Sequence, residues 1–183
     1  MMNSNKNIRA IEQLGAQVLR RIAMPVERVD DPAVINVIAA MQATLASTEG
    51  VGLAAPQIGE SLRIMIVASR STPRYPKAPT MDPTVMVNPE FIVLSNETEK
   101  DWEGCLSVPG VRALVPRFRN ISVSYLDNSG VRQTLVLEGF VARVFQHEYD
   151  HLEGLVYLDR VETNRDIISE QEFQKLIAES RAA

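Results

Sequence analysis

The sequence predicts an α+β fold with antiparallel-rich, mixed β-sheets. Three observations carry that reading. Apolar residues recur at helical spacing near the start, short β-rich segments fill the middle, and helical patterns return after residue 139.

The first helix opens at Asp30-Asp31-Pro32, an acidic cap followed by a proline that the first turn tolerates. Val34, Ile38, Met41 and Leu45 then repeat along one side, and Gly50 stops the run. Arg63 to Ala68 is a short apolar strand. Thr84 to Asn88 and Phe91 to Ser95 are β-rich and separated by Pro89-Glu90. Ile121 to Leu126 and Arg132 to Glu138 flank Asp127-Asn128-Ser129-Gly130, a hairpin turn. Ser71 to Pro83 holds Pro73, Pro76, Pro79 and Pro83 and reads as an irregular loop. A second helix spans about Gly139 to Leu152, with Phe140, Val141, Val144, Phe145 and Leu152 as its apolar members and Gly154 as its stop. A third begins near Asn164. Ser169 and Glu172 form its capping box, and Phe173, Leu176 and Ile177 give it one apolar side for packing on the core.

Length and composition bound the rest. The 183 residues suit one domain over residues 1–183, and 45% hydrophobic with 23% charged residues is ordinary for a globular chain. With 19 basic against 23 acidic residues the net charge is -4, which speaks against direct readout of nucleic acid. The single cysteine rules out an internal disulfide. Met1 to Ala10 is polar and unlike a signal segment, and no stretch approaches the ~20 apolar residues a membrane span needs. Together these predict a reducing, cytoplasmic setting.

Residues 147 to 151 read His-Glu-Tyr-Asp-His. Positions four apart on a helix share a face, so two imidazoles there can grip one cation, with a glutamate beside them to handle water. The chain has only two histidines, and both are here. Two histidines scattered at random fall four apart about once in a hundred chains. The alternative, two solvated histidines on a helix face, is the weaker reading.

A catalytic site of this kind needs a third protein ligand. One choice is Cys105, within Glu103-Gly104-Cys105-Leu106-Ser107-Val108-Pro109-Gly110, a glycine- and proline-rich turn. A lone cysteine is more often a small buried hydrophobe, but an incomplete metal set favours the ligand. The rival is a glutamate on the later helix, Glu170 or Glu172, as in zinc peptidases of the HExxH type. Gly50, Gly52 and Ala55 also fit a dinucleotide-binding fingerprint. That fingerprint should follow a strand and open a helix, whereas this one follows a helix and runs into Pro56.

Three blocks in order resemble the peptide deformylase family: Gly50-Val51-Gly52-Leu53-Ala54-Ala55-Pro56-Gln57-Ile58-Gly59, Glu103 to Pro109, and Gln146 to Gly154. Leu19 to Val26 and Arg112 to Arg117 extend the likeness, which covers about residues 15–160. The resemblance implies a single deformylase-like catalytic domain, with a C-terminal helix over about 164–183 and the HExxH motif on a central helix. It implies Cys105, His147 and His151 as metal ligands and Glu148 as general acid/base. Gln57 and the backbone N–H of Leu106 would hold the oxyanion, and Gly52 would contact the substrate backbone. One divalent metal follows, Fe²⁺ in the cell, with Zn²⁺, Ni²⁺ or Co²⁺ able to replace it.

The implied reaction removes the formyl group from N-formylmethionyl peptides. Val51, Leu106, Phe140, Val144 and the ring of His147 are the expected walls of a methionine slot; Phe140 and Val144 lie four apart on the metal helix. A monomer that works near the ribosome suits an enzyme of new chains. A relative that binds formyl peptides without cleaving them is the other alternative. Arg143, one turn before His147, stands where relatives carry an apolar residue beside the pocket, and Gly110 where many are polar.

Overall fold

The chain's computed structural model describes residues 7–71 and 78–182, with side chains through Glu179. The polar start, Met1 to Lys6, and the Pro73 and Pro76 part of the proline-rich loop lie outside the described residues.

Five strands form one antiparallel sheet, in the order β1-β2-β3-β6-β7. They are β1 (Gly52–Ala54), β2 (Ile64–Ser69), β3 (Met81–Val93), β6 (Asn120–Leu126) and β7 (Arg132–Glu138). A second antiparallel sheet has the order β4-β5-β8, built from β4 (Thr98–Cys105), β5 (Val108–Phe118) and β8 (Ile167–Ser169). The parallel pairing among the described residues is the lone bridge Met24–Leu62.

The apolar run of β2 explains how the larger sheet is covered. Ile64 and Ile66 join the core that includes Val34, Ile38, Met41 and Leu45 of helix α1 (Pro32–Ala46). Their neighbours Met65 and Val67 join a core on the opposite face with Ala142, Val144, Phe145 and Leu152 of helix α2 (Gly139–Leu152). Side chains alternate across a strand, so a continuously apolar strand is one covered on both faces. All six residues of β2 are buried accordingly.

The expected start of α1 is present: the Asp31 side chain accepts from the Ala33 N–H at 2.8 Å, with Pro32 in the first turn. The helix ends at Ala46, before Gly50, where the Ser47 and Thr48 hydroxyls donate to the carbonyls of Thr44 and Leu45. Helix α2 ends as read, with Gly154 at φ 73° after its last turn. A Cβ there would come within 3.0 Å of Arg20 backbone, so a side chain meets both strain and a clash.

Four expectations need correction. Thr84–Asn88 and Phe91–Val93 belong to one strand, β3, which ends before Leu94, and Pro89-Glu90 does not separate two. Its register with β6 slips by one residue between Val87 and Glu90. Asn88 sits there at φ 48° and its side chain bonds both the N–H and the carbonyl of Val26 at 2.8 Å. Such a bulge tolerates a proline, which has no N–H to give the ladder. The proline-rich loop also ends earlier than read, because Met81 to Pro83 already belong to β3.

Third, the glycine- and proline-rich turn read over Glu103 to Gly110 is narrower than that, the tip of a hairpin whose strands take up the rest. Cys105 pairs with Val108 across the two residues Leu106 and Ser107. The charge of β4 and the two prolines of β5, Pro109 and Pro116, hide strands that tertiary pairing imposes. Fourth, the last helix does not begin near Asn164. Asn164–Asp166 form a 3₁₀ turn, Ile167–Ser169 pair with β5, and only then does α3 (Glu170–Ala182) start. The Ser169 hydroxyl accepts from the Glu172 N–H at 3.3 Å, the capping bond expected of it. Among the described residues no helix is long and apolar enough to cross a membrane.

Candidate metal centre

Helix α2 lies between the sheets. Its apolar residues cover the five-stranded sheet, while Gln146 bonds the N–H and carbonyl of Phe118 at the end of β5 (3.1 and 2.8 Å). At the other end of the hairpin, its turn brings Cys105 to the last turns of the helix, beside His151. There the chain's only thiol meets its only two imidazoles.

Cys105 Sγ is 3.3 Å from His151 Nε2, and ligand atoms of Cys105, His147 and His151 all lie within 4.8 Å of one another. The imidazoles stack edge to face, 5.4 Å between centroids, as residues one turn apart should. A tetrahedral ion with ~2.3 Å to sulfur and ~2.0 Å to nitrogen would separate such donors by roughly 3.5 Å. The residues therefore fit a small divalent cation. Glu170 and Glu172 are elsewhere: Glu170 bonds Arg112, and Glu172 pairs with Lys175 on the surface.

The sulfur accepts two further weak hydrogen bonds, from Gln57 Nε2 and from the Ser107 N–H, each at 3.4 Å. Gln57 is aimed by its other end: Oε1 accepts from the Ala54 N–H at 2.8 Å, which turns the amide nitrogen toward Cys105 and the Ser107 hydroxyl. Gln57 stands in the 3₁₀ turn Ala55–Ile58 that follows β1, and it is buried.

His147 is held from behind. Its Nδ1 lies 2.8 Å from Glu103 Oε2, and its ring stacks on Tyr157 at 5.8 Å. Nδ1–H bound to a carboxylate leaves Nε2 free for a cation. Burial would raise the Glu103 carboxyl, but the Arg117 guanidinium and His147 overcome that and hold it well below the usual range. Arg117 in turn bridges Glu103 to Asp150 of α2. Burial would also lower the His147 ring, yet bonds to Cys105 and Glu103 hold it well above its ordinary value. Burial and the charge of His147 press His151 well below it.

Glu148 faces the same space. Burial pushes its carboxyl up to about 7. Its Oε2 and His151 Nδ1 are buried without a hydrogen-bond partner among the described residues.

These groups open onto a cavity of about 800 Å³. Val51, Leu106, Phe140, Val144 and His147, the residues expected around a methionine side chain, all line it, as do Gly52, Gln57 and Cys105. The far wall includes Phe173, Gln174 and Ile177 of α3. That helix does more than cover the core, which the pattern of its apolar side alone did not suggest. Tyr157 carries no signal in the motifs. Glu103, Ser107, Arg117 and Asp150 sit inside the family-like segments, but only their contacts give them a role.

What fold and site define together is a class, a hydrolase that works through a bound divalent cation. The chain belongs to the polypeptide deformylase family, whose model matches residues 8–166. It is 48% identical over 176 residues to peptide deformylase 2 of Nostoc sp., covering 96% of this chain and 98% of the relative. It is 49% identical over 154 residues to peptide deformylase 1 of Bordetella pertussis, covering 84% and 88%. A Met-Ala-Ser-bound class I type b peptide deformylase from Acinetobacter baumannii superposes with TM-score 0.81 at 42% identity, over 84% of this chain and 98% of that one. A Synechococcus elongatus peptide deformylase in complex with actinonin gives 0.76 at 36% identity, over 88% and 83%. The activity is metal-dependent removal of the N-terminal formyl group from nascent peptides.

Proposed function

We propose that Cys105, His147 and His151 hold the cation of this deformylase and that Glu148 moves the protons. The observation that carries the assignment is the convergence of ligand atoms of Cys105, His147 and His151 within 4.8 Å of one another, with the buried Glu148 carboxyl lining the same cavity. A carboxyl placed there is within reach of water on the cation and can accept and return a proton. A bound divalent cation supplies Lewis acidity and makes water more acidic.

Glu148 takes the proton from the attacking water and passes it to the departing amine. Negative charge grows on the formyl oxygen. The Gln57 amide and the Leu106 N–H serve that oxygen, each such donor contributing on the order of 3 kcal/mol in the transition state. Gln57 leaves Cys105 or Ser107 to do so, since its nitrogen is directed to both in the resting site. The methionine side chain rests against Val51, Phe140 and Val144, and Gly52 lies along the substrate backbone.

Thiolate ligation suits ferrous iron as well as zinc, and we assign Fe²⁺ in the cell, with Zn²⁺, Ni²⁺ or Co²⁺ as substitutes. The shared helix α2 supports reading the chain as one catalytic domain. The lone cysteine supports a reducing, cytoplasmic setting, and this reading takes the enzyme as a monomer that meets formyl-methionyl chains at the ribosome. Formate release from formyl-Met-Ala, with metal analysis of an anaerobic preparation, tests the assignment. Release with stoichiometric metal supports it. Binding of the peptide with no formate from any of these metals identifies a non-catalytic relative. Internal cleavage of peptides without formate identifies a zinc peptidase.

A further inference from the structure

Arg143 stands one turn before His147 on α2, and only 6% of it is exposed. A buried guanidinium is costly unless its donors are matched. Here they are. One terminal nitrogen, Nη1, is 2.9 Å from Glu103 Oε1 and 2.7 Å from the Val115 carbonyl. The other, Nη2, is 2.5 Å from the Glu99 carbonyl. Arg143 therefore ties the metal helix to both strands of the hairpin that carries Cys105.

The carboxylate it meets is the one behind His147. Glu103 Oε1 accepts from Arg143 Nη1 and Arg117 Nε, both at 2.9 Å, while Oε2 accepts from Arg117 Nη2 at 3.0 Å and faces His147 Nδ1 at 2.8 Å. Arg117 grips the carboxylate through both oxygens. Arg143 approaches from α2, the element that also carries the histidine. The position of Glu103 relative to the imidazole is thereby set from the helix of the imidazole itself.

We propose that Arg143 is a positioning residue of the metal centre, which fixes Glu103 and through it the orientation of His147 toward the cation. It accounts for a charged residue where an apolar pocket wall was expected. The inference rests on the assignment of Cys105, His147 and His151 as ligands. Removing the direct partner of a ligand costs roughly 10- to 100-fold in cation affinity, and Arg143 acts on that affinity through Glu103, at the lower end of the range.

The test compares the whole protein with Arg143→Met, Glu103→Gln and the double variant. The readouts are Zn²⁺ dissociation constants from chelator competition, the visible spectrum of the Co²⁺ form, and urea midpoints of the cation-free proteins. We expect R143M to weaken Zn²⁺ about 10-fold or more and to alter the Co²⁺ spectrum. In the Glu103→Gln background the same change should have little further effect, because the two act as one unit. Arg143→Lys, which keeps a charged donor for Glu103, should recover part of the loss. If R143M does not fold, Arg143→Gln replaces it in every comparison. Unchanged Zn²⁺ affinity and Co²⁺ spectrum, with only the urea midpoint lowered, would reduce Arg143 to a structural contact and overturn the proposal. Additive losses in the double variant would overturn it as well. If the unaltered protein binds no cation, the ligand assignment itself fails, and this inference with it.

Discussion

The carboxylate of Glu148 lies directly against the backbone of Gly52. A Cβ built on Gly52 would stand 2.3 Å from Glu148 Oε1 and 2.8 Å from its Cγ and Cδ. The glycine of the first family block is thus required by the glutamate of the third, whatever it also does for a substrate.

Gly52→Ala should therefore displace Glu148 without touching a ligand. Moving a catalytic group by about 1 Å commonly costs on the order of 100-fold in rate. We expect kcat for formyl-Met-Ala to fall by about that factor while bound metal per chain is unchanged. An unaltered kcat would show that Glu148 tolerates the shift.

Glu148 also links stability to pH in the cation-free protein. Its folded value, about 7, lies above the ordinary 4.5. The folded state thus favours the protonated form. That contribution is complete below pH 4.5 and lost as pH rises through about 7. The interval corresponds to ~3 kcal/mol for this buried group. Glu148→Gln, which stays neutral, should raise the urea midpoint of the cation-free protein at pH 8 and leave it little changed at pH 4.5. Equal midpoints at pH 8 would count against a strained carboxylate.

Replacement of Cys105 by Ser should remove stoichiometric metal, since a neutral hydroxyl is a poor substitute for a thiolate. Glu170→Ala and Glu172→Ala should retain it. Metal analysis after gel filtration reads both outcomes, and metal lost with Glu170 or Glu172 would return the zinc-peptidase arrangement.

Metal identity has its own signature. A cysteine on ferrous iron is open to oxidation, so aerobic purification should lower activity relative to an anaerobic preparation. Equal activity from the two would argue against iron.

Helix α3 should influence peptides longer than the formyl-methionyl dipeptide. Ile177 lines the end of the cavity contributed by α3, and the family model stops before this helix, at residue 166. Ile177→Asp should raise KM several-fold for formylated tetrapeptides and leave KM for formyl-Met-Ala within about twofold. The same change for both substrates would place α3 outside the route of the peptide.

Much of this protein is determined by the chain read alone. The 3.6-residue spacing of Val34, Ile38, Met41 and Leu45 defines α1, and a pair of histidines four apart defines a metal face on α2. These are local facts, because a helix places its own residues i and i+4 together. The sequence favoured Cys105 over Glu170 or Glu172 as the third partner, and the tertiary structure sets it beside the histidines. Tertiary structure alone decided that Thr98–Cys105 and Val108–Phe118 are strands despite their charges and prolines, and that Arg143 turns to Glu103. Each of these is a contact between residues 40 or more apart in sequence, or a strand that exists only once its partner is in place. Hydrogen bonds of that kind have no local period to read. Burial settles them, since buried charges and backbone groups must find their partners wherever the folded chain brings them.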